Sequence, residues 1–188
     1  IVGYSIPIFI ISLVFIYLFA VTLKIFPVGG MNTPGRFMGG ERGFDWFIDR
    51  VYYLSLPLIV MTFASLGGMT RYVRAAMIDS LRMDYIKTAR AKGLREKVVV
   101  YSHAWRNALL PVITLIIGWF LSIFSGSIVI EQTFSLNGMG KLYIQALNQQ
   151  DYEVVLAMQM FYVIISLVGN LIIDLSYGLV DPRVRVNK

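Results

Sequence analysis

Few side chains in this sequence have the type and spacing to do chemistry. His103 is the single histidine, and there is no cysteine. No acid or serine stands at a suggestive local spacing from that imidazole, so it lacks the partners of a general base. One nitrogen ligand is also too few for a typical zinc centre. His103 reads instead as a packed or interfacial residue on a helix. Asp174 stands at the end of a long apolar stretch, where an ionisable group is a functional candidate by default. So close to the end it can snorkel or pair at the surface, and a structural role is the better reading. Asn170, one helical turn earlier, suits an interhelical hydrogen bond. The glycine-rich stretch from Pro27 to Gly43 has no strand before it and no Gly-Lys-Ser or Gly-Lys-Thr after it, so it is a poor phosphate cradle. The expectation is a chain with no catalytic residue, no cofactor, no metal and no ATP-binding motif.

The elements around these residues are mostly apolar. Of 188 residues, 57% are AVILMFWYC and only 15% are charged. Counting Gly in place of Tyr gives about 60%, against about 45–50% in soluble domains. Disorder needs the opposite balance, and a disulfide scaffold needs cysteine. Four segments, about 1–26, 51–70, 108–130 and 154–173, are long and apolar enough to cross a bilayer, which takes about 20 helical residues. Period-2 alternation is absent, so a transmembrane barrel is not expected. The predicted fold class is all-α integral membrane, with residues 1–188 forming one transmembrane domain. Pro7 and Pro57 fall inside spans and read as packing kinks, with a transport hinge as the alternative. The chain opens on Ile1 rather than Met, directly in a span and with no basic region before it. It does not read as a signal peptide, and further helices are expected upstream.

Basic residues set the orientation. Arg71, Arg74, Arg82, Lys87, Arg90, Lys92, Arg95, Lys97 and Arg106 crowd the 71–107 segment, and Arg183, Arg185 and Lys188 mark the C-terminal tail. Both are expected on the cytoplasmic side, with the 27–50 and 131–153 loops outside. The net charge of +6 is thereby explained without nucleic acid. Trp46, Tyr52, Tyr53 and Tyr177 sit at span ends, as interfacial aromatics do. The outer loop with Pro27, Pro34 and its glycines is expected to be irregular.

The 71–107 loop reads as two short helices. Ile78, Leu81, Tyr85 and Ala89 line one helical face, and Gly93 suits a left-handed cap that ends the helix. Leu94, Val98, Tyr101, Trp105 and Ala108 recur at 4, 3, 4 and 3 residues, an apolar stripe on a second helix. Such faces need cover. Either they lie in lipid headgroups, or they dock into a groove on a cytoplasmic partner.

These residues also resemble a known family. Asp84-Tyr85, Thr88-Ala89-Arg90-Ala91-Lys92-Gly93-Leu94 and His103-Ala104-Trp105-Arg106-Asn107-Ala108-Leu109-Leu110-Pro111 are similar to the cytoplasmic loop of ABC importer permeases for dipeptides, oligopeptides and nickel. The resemblance continues through Glu131, Phe134-Ser135-Leu136-Asn137-Gly138-Met139-Gly140, Asp151-Tyr152, Asn170-Leu171, Asp174, Tyr177 and Asp181-Pro182-Arg183-Val184-Arg185. It implies helices three to six of a six-helix permease, and an EAA-type coupling loop in which Gly93 matches the motif's glycine and Ala89 its second alanine. Lys87, Thr88 and Arg95 depart from the wider pattern, as do Asn137 and Gln150 in the outer loop. The coupling residues it implies are Tyr85, Ala89, Arg90, Gly93, Leu94, His103, Arg106 and Asn107.

The resemblance further implies a non-catalytic subunit in a bacterial or archaeal plasma (inner) membrane, multi-pass, with its C-terminus in the cytoplasm. Its partners would be a homologous second permease, two cytoplasmic ATP-binding subunits, an extracytoplasmic solute-binding protein and the lipid bilayer. The coupling helices would be about Ile78 to Lys92 and Val98 to Asn107. Peptides are the expected cargo, with nickel or another small solute as the alternative. Two remoter readings fit the residues less well. A membrane-embedded enzyme lacks clustered polar groups here, and an ion-coupled transporter lacks midplane charges.

Overall fold

The computed structural model describes residues 6–180 apart from 38 and 41, with backbone alone at 110, 125 and 177–180. The first five residues of the expected first span, the Tyr177 side chain and the basic tail from Asp181 onward lie outside the described residues. The described secondary structure is helical: α1 (Ile8–Phe15), α2 (Phe44–Arg82), α3 (Asp84–Ala91), α4 (Arg106–Ser122), α5 (Ile128–Thr133), α6 (Met139–Asn148) and α7 (Tyr152–Val180). α1 continues as a π-helix over Ile16–Thr22, and a second π-helix over Val99–Trp105 leads into α4. Residues fall into two compact units, Ile1–Gly68 with Ser125–Met158, and Met69–Phe124 with Gln159–Lys188.

The membrane spans differ from the sequence expectation in their limits. Among the described residues, Phe44–Arg82 and Tyr152–Ser176 are long and apolar enough to cross a bilayer. Glu96–Leu109 and Pro111–Ser122 qualify only together, bent by 48° at the break. Pro111 has no N–H to continue the ladder and its ring crowds the carbonyl four residues back. The expected first span is described only as Ile8–Thr22, which is shorter than a span requires. The expected third span does not reach residue 130. Its helix ends in a 3-10 turn over Ile123–Ser125, Gly126 turns the chain at φ +70°, and Ile128–Ile130 open α5 instead.

α2 is the longest element, at 39 residues. Its run past residue 70 contains no glycine or proline and is rich in Arg, Ala, Met and Leu, all good helix formers. Nothing in it ends the helix before Arg82. Inside the apolar part, Thr62 and Ser65 donate their hydroxyls to the carbonyls of Leu58 and Met61, each at 2.7 Å. Hydroxyls satisfied by their own helix can sit in hydrocarbon without an orphan donor. α7 exposes Leu156, Met160, Val163, Ile164, Leu167, Leu171 and Leu175 along its length. An 18-residue stretch within Tyr152–Ser176 has a mean hydropathy of 2.0, which suits lipid rather than water.

In the first unit, Ile11, Ala20, Leu56, Val60, Ile130, Phe134 and Leu136 form the buried core. The 27–43 stretch is irregular, as its breakers predict, but the last residues of the expected loop are already helical because α2 begins at Phe44. Gly29 lies against the Phe134 carbonyl, where a Cβ would come within 2.7 Å, and the Gly30 N–H donates to that carbonyl at 2.8 Å. Asp49 is buried and accepts from the Thr33 amide at 2.7 Å and hydroxyl at 2.6 Å.

In the second unit, Gly169 of α7 is buried against Leu121 of α4, whose side chain occupies the place a Cβ would take. Small residues at such crossings let membrane helices approach closely. Asn170 beside Gly169, expected to make an interhelical hydrogen bond, is exposed.

Candidate functional site

The 84–107 segment is not two separate helices. The expected helix from Ile78 to Lys92 is divided at Met83, whose extended backbone (φ −69°, ψ 152°) separates α2 from α3. Asp84 then opens α3 with an acid in the first turn, where it meets the positive end of the helix dipole. Only α3 stands alone. The expected second helix, Val98 to Asn107, is the start of a helical run from Glu96 through the π-helix into α4.

Gly93 caps α3 as predicted. Its φ is +72°, and the Leu94 N–H reaches back to the Ala89 carbonyl at 3.4 Å while the Gly93 N–H bonds the Arg90 carbonyl at 2.9 Å. This pairing satisfies carbonyls that a helix end would leave open. Across the turn, Arg90 donates to both carboxylate oxygens of Glu96, at 3.2 and 2.6 Å. That hydrogen bond holds Glu96 below its ordinary pKa and raises Arg90. Lys87 pairs with Asp84 at 2.8 Å.

The inward face is built from Ile86, Ala89, Val99 and Ala104, with Met77 and Leu81 packed against them. Val99 and Ala104 are five residues apart, the spacing of a π-helix, whose hydrogen bonds run i to i+5. The stripe of Leu94, Val98, Tyr101 and Trp105 lies outside that packed face, and these four side chains are exposed. Only Ala108 of that stripe is buried. On the first face Ala89 is buried, while Ile78 and Tyr85 are exposed.

The predicted site residues therefore divide. Ala89 and Gly93 shape the turn and Arg90 clamps it. Tyr85 and Leu94 present apolar surface. His103 is half-buried, and its carbonyl accepts from the Asn107 amide at 2.7 Å. Arg106 and Asn107 are exposed. Sequence reasoning missed Glu96 and Ser80. Glu96 lies six residues beyond Arg90, a charge pairing visible only once Gly93 is known to reverse the chain.

Residues 1–186 match the family described as "Binding-protein-dependent transport system inner membrane component". This chain belongs to that family. It is 44% identical over 97% of its length to the oligopeptide transport system permease protein AppB of Bacillus subtilis. It is 37% identical over 100% of its length to the dipeptide transport system permease protein DppB of the same organism, and 38% over 99% to DppB of Escherichia coli. These alignments cover 56% of AppB, 56% of the Bacillus DppB and 59% of the Escherichia DppB. The chain spans a little over half the length of the relatives it matches.

In this family member, the glycines around Glu131 also acquire a reason. The Glu131 carboxylate is buried and accepts N–H groups from Ser127 at 3.1 Å, Gly140 at 3.4 Å and Lys141 at 2.6 Å. It caps the start of α6. Gly126 and Gly138 lie so close that a Cβ on either would collide with the carboxylate, and one on Gly140 would meet Ile128.

Proposed function

We propose that this chain is the greater part of a permease subunit in an ATP-driven, binding-protein-dependent peptide importer, and that its 84–107 element docks on a cytoplasmic ATP-binding subunit. Family membership supports the transport reading. The names of the relatives favour peptides over nickel as cargo. The observation that carries the docking reading is the pairing of a firmly built turn with an unburied apolar face. Ile86, Ala89, Val99 and Ala104 seal the inside, while Leu94, Val98, Tyr101 and Trp105 remain outside.

The assembly we propose contains a homologous second permease, two ATP-binding subunits and an extracytoplasmic solute-binding protein. This chain is multi-pass in a bacterial or archaeal plasma (inner) membrane, with the 71–107 segment and the C-terminus in the cytoplasm. Its four passes are helices three to six of a six-helix permease, the assignment the sequence resemblance implies. The 1–188 transmembrane domain forms half of the translocation path, and motion of the coupling helices with the ATP-binding subunits tilts its spans. It performs no catalysis, and ATP is hydrolysed on the partners. Tyr85, Ala89, Arg90, Gly93, Leu94, His103, Arg106 and Asn107 form or shape the coupling surface.

Copurification tests this reading. Full-length protein extracted with its membrane partners should bring down ATP-binding subunits and, in proteoliposomes with the binding protein, import peptide when ATP is supplied. An isolated permease that retains no ATPase and imports without ATP would refute it. Lipid headgroups covering the same apolar face would leave the ATPase interaction unaffected when that face is made polar.

A further inference from the structure

Ser80 is a buried hydroxyl, 5% exposed, two residues before the end of α2. It lies 2.7 Å from the Ala104 carbonyl in the π-helix and 2.7 Å from the Tyr85 phenol on α3. A serine has one hydroxyl proton. Ser80 gives it to Ala104, so the Tyr85 phenol donates to the Ser80 oxygen. One small side chain thus ties together the end of α2, the start of α3 and the π-helix leading into α4. Tyr85 faces two ways. Its residue is 39% exposed on the outer surface, while its oxygen is held inward.

Packing does not do this job on the same side. A cavity of about 320 Å³ lies there, lined by Asp79, Ser80, Met83, Tyr85, Asn107 and Pro111, among others. The helix of 8 residues is packed through Ile86 and Ala89 on one side and borders open space on the other, where the hydrogen-bond chain is its tie. A buried hydrogen-bond chain resists being pulled apart, because breaking it leaves polar groups without partners.

We propose that Ser80 is a positioning residue for transport, passing displacement of α3 to α2 and α4 together. The proposal rests on the docking of 84–107 to an ATP-binding subunit and states how that contact is transmitted.

The test uses the full-length permease assembled with its ATP-binding subunits and binding protein in proteoliposomes. Ser80→Ala keeps the shape and removes the link, while Ser80→Thr keeps the hydroxyl. The readouts are ATPase subunits retained and ATP hydrolysed per peptide imported. Ser80→Ala should retain the subunits but raise ATP consumed per peptide severalfold, because the buried link it removes is not replaced. Ser80→Thr should stay near wild type, and in a Tyr85→Phe background Ser80→Ala should add little. An unchanged ATP-to-peptide ratio in Ser80→Ala would overturn the proposal. So would import and hydrolysis falling in parallel with the amount of folded protein, or equal uncoupling by Ser80→Thr. If the unmodified complex does not hold its ATPase at this element, the docking reading fails first, and that result is separately visible in subunit retention.

Discussion

Arg90 and Glu96 face each other across the Gly93 turn, joined by two hydrogen bonds of 3.2 and 2.6 Å. The turn sets their approach. With Gly93 at φ +72° the chain reverses after α3, and the residue six positions on returns beside Arg90.

Substitution at Gly93 should therefore act through the backbone. No atom lies within 4 Å of where a Cβ would stand, so there is no clash to relieve. A β-branched residue forced into this conformation costs roughly 1–2 kcal/mol, whereas asparagine tolerates it. In the full-length protein, Gly93→Val should insert normally and import poorly, and Gly93→Asn should import nearly as wild type. Membrane abundance and peptide uptake measured together check this. Equal uptake by both variants and the wild type would contradict it.

The clamp should be insensitive to pH near neutrality. Glu96 has a lowered pKa, so its contribution is fully present above the ordinary carboxylate value and is lost as pH falls through the lowered one. The pair is solvent-exposed, so its effect is small. Hydrogen exchange of the 92–95 amides, corrected for intrinsic pH dependence, should be flat between about pH 6 and 8. It should be faster in Glu96→Gln across that range.

Charges on the exposed stripe should spare folding and remove the partner. Tyr101 is 67% exposed and Val98 39%, so Tyr101→Asp or Val98→Asp disturbs no core. Each should weaken retention of the ATP-binding subunits by about tenfold or more if it lies at the centre of the contact. A change at Lys97, which is exposed beside them, should do little. Quantitative pull-down of tagged full-length permease gives the answer.

The contact of Gly169 with Leu121 should behave as a matched pair. Gly169→Val overpacks the crossing at a cost of about 1–3 kcal/mol, and Leu121→Ala in the same chain should recover much of it. Thermal unfolding in detergent, compared over the two single variants and the double, measures the recovery. Strict additivity would mean that the two side chains do not share this space.

How much of this was legible in the sequence depends on the range of the forces involved. Gly93 was readable because its backbone preference is local. The extent of α2 was partly readable, since the 71–82 run lacks any breaker, but the apolar window alone ended the span at residue 70. The π-helix at Val99–Trp105 was not readable. Its register follows from packing Val99 and Ala104 against Ile86 and Ala89, and an i, i+3, i+4 pattern assumes a different period. Glu131 was visible only through family resemblance, because its amide partners lie as far as ten residues away and glycines carry no chemical signal of what they make room for. The Gly169–Leu121 contact was not readable for a related reason, since a glycine in an apolar run does not announce which side chain it makes room for.

Whether the surface outside the Gly93 turn meets an ATP-binding subunit is tested most directly by a photo-crosslinking residue at Tyr101, in the full-length permease within native membranes. A cross-link to an ATP-binding subunit, lost when that subunit is absent, is the expected result. Cross-links to lipid alone, in membranes that still import peptide, would contradict it.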